Sequence, residues 1–343
     1  MRWWVAGLVL VPVAVVLEVL HAPPLAVLLI SAAALVPLAA LLGRATEEVA
    51  ARTGPFIGGL LNSTLGNAAE LIIALAALRA GLHELVKASI SGSILGNLLL
   101  ILGASLLVGG LRHGLQQFDA HLAGISATMM TLAVVLLLVP GLFTLGPTPV
   151  HGAAVEWMSI GLAVVLAVIY FLYLVYTLRM GGPVTEHAHA TWSLPRAIAV
   201  LVGSTLGVVV MSEVLVGAVE PVVEATGVSE FFLGVVLVPL VGNVAEHFVA
   251  VQVAGRNQMD LSLGIAYGSS LQIALVVTPV LIFASLATSQ PMSLVFNVYE
   301  LVALLGAALV SSLIAVDGRS HWLEGAMLLA VYAGLAVGFF FLP

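Results

Sequence analysis

The stretch Gly66-Asn67-Ala68-Ala69-Glu70 recurs 176 positions later as Gly242-Asn243-Val244-Ala245-Glu246. At the same offset, Gly92-Ser93 matches Gly268-Ser269. Apolar matches carry little weight in so apolar a chain. Asn and Glu are costly inside a membrane, however, so their recurrence is informative. The repeat indicates that the chain consists of two related halves.

The composition places these halves in a lipid bilayer. Of the 343 residues, 62% are hydrophobic and only 8% are charged, and the mean hydropathy is +1.20. Soluble domains carry about 25% charged residues, so most of this surface must face lipid. The scattered basic residues and the net charge of −7 exclude nucleic acid as a partner. The absence of cysteine excludes disulfides and thiolate chemistry.

Apolar runs predict an all-α polytopic membrane protein with about 11 transmembrane helices, because a bilayer core of about 30 Å requires about 20 apolar residues. The runs lie at 3–20, 25–43, 55–79, 84–108, 119–139, 151–178, 195–219, 228–254, 259–283, 292–315 and 320–341. The third and eighth runs carry the repeat and lie an odd number of helices apart, so they cross in opposite directions. This is the inverted-repeat plan of secondary transporters.

The domain organisation follows from that pairing. We expect one membrane domain made of two inverted five-helix repeats, 23–180 and 195–343, joined by a cytoplasmic linker at 181–194. An extra N-terminal transmembrane helix occupies 1–22. We interpret it as retained, because the residues after it offer no signal-peptidase site.

The basic residues predict the orientation, since Lys and Arg accumulate on the cytoplasmic side. With the N-terminus inside, only Arg79 and Lys87 fall at outer ends. The inner ends and loops hold Arg2, Arg44, Arg52, Arg112, Arg179, Arg196, Arg256 and Arg319. An eleventh helix then places the C-terminus outside. Short termini favour a prokaryotic cytoplasmic membrane over a vacuolar one.

Glu70 and Glu246 each lie near the middle of an apolar run, where an ionisable residue is a functional-site hypothesis. Asn67 and Asn243 precede them by three residues and so share their helix faces. The alternative is a hydrogen-bonded clamp between the halves. A clamp would leave two buried carboxylates without a cation, because no Lys or Arg lies at that depth.

The surroundings of the two carboxylates favour a metal cation. Gly66 and Gly242 loosen the helices just before them, which can free backbone carbonyls. Calcium takes six to eight oxygen ligands, and two carboxylates match its charge. Burial and mutual repulsion favour the protonated form of an empty pair. The pair is therefore neutral with either metal or protons bound, which predicts exchange of one for the other and requires no cofactor.

Nine further polar residues are candidates for pathway or gating roles. They are Asn97, Gln272, Ser93, Ser269, His247, Glu213, Glu300, Glu47 and Glu48. We expect the two larger amides to line the site. For the serines, the histidine and Glu213 and Glu300, packing or structural hydrogen bonding remains the alternative. For the adjacent pair of glutamates the alternative is a solvated helix face.

Two longer stretches resemble the paired signatures of the cation/proton exchangers of the calcium/cation antiporter superfamily. They are GGLLNSTLGNAAELI at 58–72 and VPLVGNVAEH at 238–247, and the second continues as GSSLQIAL at 268–275. The resemblance implies an exchanger that moves Ca²⁺ out of the cytosol against entering H⁺. By motif position, Glu70 and Glu246 would be the metal ligands and proton acceptors. Carbonyls of Gly66 and Gly242 would assist, with Asn67 and Asn243 beside them.

Several alternatives stay open. Gly-Asn-x-x-Glu differs from the Thr/Ser-rich, Asp-containing sites of sodium-coupled relatives, so protons are favoured over Na⁺. The other hypotheses are export of another divalent ion, such as Mn²⁺ or Cd²⁺, and a passive calcium channel. The chain shows no metalloprotease or P-loop motif, so we expect a transporter and not an enzyme. The expected partners are Ca²⁺, H⁺ and the lipid bilayer, and a homo-oligomer is compatible with the sequence.

Overall fold

A computed structural model describes residues 6–53, 58, 61, 65–146, 148–180 and 190–342. Within these ranges the chain forms helices α1–α16 and one short two-stranded ribbon. The helices are, in chain order, Leu10–Val19, Pro24–Ala50, Ala68–Arg79, His83–Leu95, Leu102–His113, Ala120–Leu145, Ala153–Met180, Leu194–Gly217, Val219–Thr226, Glu230–Phe232, Val238–Gly242, Val244–Ala254, Met259–Gln272, Thr278–Ser285, Val298–Ala315 and Trp322–Phe340.

Eight helical segments among the described residues are long and apolar enough to cross a membrane. A ninth forms if Glu230–Gly242 and Val244–Ala254, bent by 62°, count as one broken span. The chain is therefore a mostly helical polytopic membrane protein. The predicted count of about 11 is not confirmed. α1 is only ten residues long, and much of the third predicted run lies outside the described residues.

Three π-helical segments interrupt the long helices. They lie at Gly96–Ile101, Leu233–Leu237 and Ile273–Val277. The first joins α4 to α5, and the third joins α13 to α14. An i→i+5 turn inserts one residue into the helical register and is frequent at functional sites. It changes which side chains of a long helix face the interior.

The two halves show the same local features at the offset of the sequence repeat. Asn67 precedes α3 as Asn243 precedes α12. α4 and α13 begin at His83 and Met259. The turns before them contain positive φ angles of 83° at Gly81 and 61° at Asn257. The recurrence thus extends from sequence to backbone conformation.

Close packing between the halves depends on glycine. A Cβ atom added to Gly92 in α4 would lie 2.2 Å from the carbonyl oxygen of Val235. A Cβ at Gly234 would lie 2.7 Å from the Ala88 side chain. α4 therefore lies directly on the Leu233–Leu237 segment. α2 packs in the same intimate way along α8, where a Cβ at Gly207 would meet Leu38 at 2.7 Å.

The strands Gln116–Gln117 (β1) and Arg319–Ser320 (β2) form a short antiparallel ribbon, in which Gln116 pairs with Ser320. It joins the loop after α5 to the loop before α16. α2 also extends beyond the predicted run, to Ala50. Glu47 and Glu48 therefore belong to the helix.

Candidate functional site

The two recurring motifs lie at helix breaks. Asn67 is the first residue before α3 and Asn243 the first before α12. Gly66 lies in the turn before α3, and Gly242 is the last residue of α11. The breaks place Glu70 and Glu246 in the first turns of α3 and α12. The positive end of each helix dipole therefore points towards its carboxyl group.

The structure brings the two glutamates together across the halves. The Glu70 side chain is buried, and it lies directly over Gly242. A Cβ atom at that glycine would be 3.0 Å from Glu70 Cγ and 3.1 Å from Oε1. Glu70 and Glu246 are close enough to interact electrostatically. A carboxyl group from one half thus lies on the loosened backbone of the other.

Buried amides surround this pair. Asn67 Nδ2 donates to Gln272 Oε1 at 2.6 Å, and Asn67 Oδ1 accepts from the Ser269 hydroxyl at 3.0 Å. Asn97 Nδ2 donates to Ser269 Oγ at 3.0 Å. All three contacts join the first half to the second. The two larger amides, Asn97 and Gln272, therefore belong to the polar centre and orient its members.

The second asparagine has fewer contacts with the opposite half. Asn243 Nδ2 donates to Ser93 Oγ at 3.3 Å and to the carbonyl of Pro239 at 3.2 Å. Its Oδ1 lies 3.4 Å from Ser269 Oγ, which also donates to Asn67 Oδ1 at 3.0 Å. A hydroxyl has only one proton to donate. Ser269 therefore has two side-chain acceptors, Asn67 and Asn243, for its one hydrogen.

Two polar atoms at this centre are buried without a hydrogen-bond partner in the described part of the chain. They are Oε2 of Glu246 and Nε2 of His247. Unsatisfied buried polar atoms are rare and call for an explanation such as a ligand or a transported ion. A small recess beside the other glutamate is lined by Glu70, Ala74, Ser89, Ile90, Ser93, Val238, Ile273 and Val277.

The donor set defines what this centre can bind. Over the described ranges, no three His, Asp or Glu side chains converge on a possible metal position. The site instead offers two carboxylates together with neutral amide, hydroxyl and carbonyl oxygens. A hard cation that accepts mixed oxygen ligands suits it.

Glu300 and Ser91 lie outside this centre and form a separate buried contact. The Ser91 hydroxyl donates to Glu300 Oε1 at 2.6 Å, and the backbone N of Asn297 donates to Oε2 at 2.9 Å. Asn297 Oδ1 accepts in return from the Glu300 backbone N. This capping box fixes the start of α15. The Asn-x-x-Glu spacing at the start of a helix is the sequence signal for this capping box.

Glu213 also lies away from the centre. Its Oε1 is 3.6 Å from Arg79 Nη1, and both side chains are more than half exposed. The ion pair joins α8 to the end of α3. Glu47 and Glu48 lie at the end of α2, where Glu48 contacts Thr191 and Trp192. The sequence contained no signal for this last contact, because nothing local pairs a glutamate with a residue 144 positions away.

The sequence and the fold are similar to those of known proteins. The family model described as sodium/calcium exchanger protein matches residues 23–179 and 196–341. A Ca(2+)/H(+) antiporter of Synechocystis is 44% identical over 92% of this chain and 91% of its own. A Ca(2+)/H(+) antiporter of Aphanothece halophytica is 40% identical, covering 98% and 95%. The crystal structure of the selenium-substituted Ca2+/H+ antiporter protein YfkE, 39% identical, superposes over the full length of both chains with a TM-score of 0.88. The chain therefore belongs to the sodium/calcium exchanger protein family.

Proposed function

We propose that the protein is a secondary active antiporter that exports Ca²⁺ from the cytosol in exchange for H⁺. Glu70 and Glu246 bind either the dication or protons, and the site is exposed alternately to the two sides of the membrane. The amide and hydroxyl oxygens around the pair complete the coordination of Ca²⁺. No resident cofactor takes part.

The observation that carries the proposal is the position of Glu70 against Gly242 and beside Glu246, with one oxygen of Glu246 unpaired. Two buried negative charges without a cation are strongly unfavourable. One Ca²⁺ neutralises both, and so do two protons. Because the empty, ionised pair is the costly state, the site changes sides with one cargo or the other, which couples the two fluxes.

The relatives support the choice of ions. The two bacterial relatives bear the name Ca(2+)/H(+) antiporter, and their alignments cover nearly the whole chain. We extend that activity to this protein. The two segments matched by the family model also support the proposed halves, 23–180 and 195–343. We retain the eleven-helix plan, with the extra helix at 1–22 and the linker at 181–194, as part of the proposal.

The proposed location is a prokaryotic cytoplasmic membrane, with the N-terminus inside and the C-terminus outside. The distribution of basic residues supports this orientation. The site then lies between a cytosolic approach near the end of α2 and an outer approach near the end of α3. Transport in this direction lowers cytosolic Ca²⁺ at the expense of the proton gradient.

Transport in reconstituted vesicles tests the function. An acidic interior should drive Ca²⁺ uptake in sodium-free buffer. Glu70→Gln and Glu246→Gln should each lower this uptake by at least about tenfold, a barrier change of about 1.4 kcal/mol, because one remaining carboxylate cannot neutralise Ca²⁺. Glu156→Gln, in an exposed part of α7, is the matched control and should transport at the wild-type rate.

Other outcomes would favour the alternatives. Uptake that requires sodium would favour Na⁺-coupled exchange, and uptake that ignores the pH gradient would favour a channel. Competition by Mn²⁺ or Cd²⁺ stronger than by Ca²⁺ would identify another divalent ion as the substrate. Normal exchange by both glutamine variants would remove the pair from the mechanism.

A further inference from the structure

The adjacent glutamates at the end of α2 have opposite surroundings. Glu48 is buried, whereas Glu47 is exposed. The Glu48 carboxylate accepts hydrogen bonds from the backbone N of Thr191 at 2.8 Å and of Trp192 at 2.9 Å. The Thr191 hydroxyl donates to it as well. Glu48 therefore fastens the end of α2 to the segment that leads into α8.

The arginines near this end of α2 are engaged in the same attachment. Arg52 donates to the backbone carbonyls of Glu48 and Trp192. The guanidinium carbons of Arg44 and Arg196 each lie 5.1 Å from the centre of the Trp192 ring, within cation–π distance. In the described part of the chain, Glu47 forms no ion pair within 4 Å. Arg44, three residues earlier on the same helix, lies against the tryptophan ring and also interacts electrostatically with Glu47.

Glu47 lies close enough to the binding centre to interact with it electrostatically. α2 packs against α12, the helix that carries Glu246, and the carboxyl groups of Glu47 and Glu246 interact. Glu246 is itself only partly buried, and its Oε2 has no partner. An exposed carboxylate thus lies within electrostatic range of the more accessible of the two central glutamates.

We propose that Glu47 attracts the incoming dication on the cytosolic approach to Glu246, while Glu48 only holds the helix end that positions it. This inference rests on the proposed function. A fixed negative charge beside a narrow approach raises the local cation concentration. Because Glu47 is exposed, dissolved salt screens this effect, and it disappears when the Debye length becomes short.

The test compares Glu47→Gln with Glu48→Gln in proteoliposomes, with Ca²⁺ added on the side where α2 ends. Glu47→Gln should raise the KM for Ca²⁺ severalfold at low ionic strength, and the difference should vanish at high salt. Glu47→Asp, which keeps the charge, should retain the wild-type KM. Glu48→Gln should lower the melting temperature and leave the salt dependence of KM unchanged.

The possible results distinguish a failure of the proposed function from a failure of the role proposed for Glu47. If wild-type protein shows no proton-driven uptake, the proposed function fails. If it shows uptake and Glu47→Gln has the wild-type KM at low salt, or a raised KM that salt does not abolish, Glu47 has no attracting role. Should Glu47→Gln unfold, Glu47→Lys and the folded Glu47→Asp provide the same comparison. An unchanged KM in a folded Glu47→Lys protein would also overturn the proposal.

Discussion

At the scale of single residues, the position of Glu70 depends on a glycine from the other half. Gly242 has no side chain, and the Glu70 methylene and carboxyl groups occupy the space where one would lie. The sequence predicts this pair as members of one site because Gly-Asn-x-x-Glu recurs. It does not predict that Glu70 contacts Gly242, since the contact depends on how the halves pack.

Gly242→Ala should therefore displace Glu70. The new methyl group would lie 3.0–3.2 Å from Glu70 Cγ, Oε1 and Cδ, so the carboxyl group must shift by a few tenths of an ångström. We expect Ca²⁺/H⁺ exchange to fall at least about tenfold, with the protein still folded by thermal unfolding in detergent. Gly264→Ala in α13, where no atom lies within 4 Å of the added carbon, is the control. Equal activity of the two variants would contradict the assigned position of Glu70.

The polar residues around the glutamate pair differ in how far the sequence could predict their contacts. Asn97 and Gln272, which we expected to line the site, contact Ser269 and Asn67, and their roles in transport stay a prediction. Ser93 and Ser269 look equivalent in the repeat, yet among the described contacts Ser269 reaches the side-chain oxygens of both asparagines, whereas Ser93 contacts Asn243 Nδ2. Equivalence in sequence cannot reveal this difference, because a hydroxyl hydrogen bond depends on sub-ångström placement.

At the scale of elements, ion pairs at helix ends join parts of the two halves. Arg79 closes α3 and pairs with Glu213 of α8. Both side chains are well exposed, and exposed pairs contribute about 0.2–1 kcal/mol. A glutamate in an apolar run is therefore not sufficient to identify a transport residue. Whether such a glutamate takes part in transport depends on what its side chain contacts. A partner 134 positions away in the chain cannot be predicted from local sequence.

Glu213→Gln should accordingly retain exchange close to the wild-type rate. We expect a loss of at most about 1 kcal/mol in unfolding free energy, and Arg79→Gln should produce a loss of similar size. The double variant should be no less stable than the two single ones, because both single changes remove the same contact. Thermal melts and vesicle uptake measure the two properties. A tenfold loss of uptake in Glu213→Gln alone would give this residue a direct part in transport.

The helix breaks and the π segments differ in how far sequence could predict them. Gly66 and Gly242 indicated loosened helices, and the 62° bend lies at the end of α11, which closes with Gly242. The π segments at Gly96–Ile101 and Ile273–Val277 had no signal. Apart from Asn97 the residues of these two segments are apolar or glycine, so the one-residue shift in hydrogen bonding leaves no mark on the apolar pattern.

At the scale of the whole molecule, the orientation is the strongest prediction that sequence provides. It rests on eight basic residues against two, and the absence of cysteine makes it simple to test. Gln117→Cys, exposed in the β1–β2 ribbon, should be labelled by a membrane-impermeant maleimide only after the cells are permeabilised. His151→Cys, exposed before α7, should be labelled in intact cells. The opposite pattern would invert the proposed orientation, and labelling of both in intact cells would contradict the helix plan.

The central hydrogen bonds also set an order of assembly during biosynthesis. Among the side chains of the described residues, Asn67 bonds to Gln272 and Ser269, Asn97 bonds to Ser269, and Asn243 bonds to Ser93. When the ribosome has completed the first half, Asn67, Asn97 and Glu70 have none of these counterparts. Until α13 has been inserted, these polar groups contact water, lipid or the insertion machinery. The polar centre therefore forms late, because the first half can bury these groups against their partners only after the second half has been synthesised.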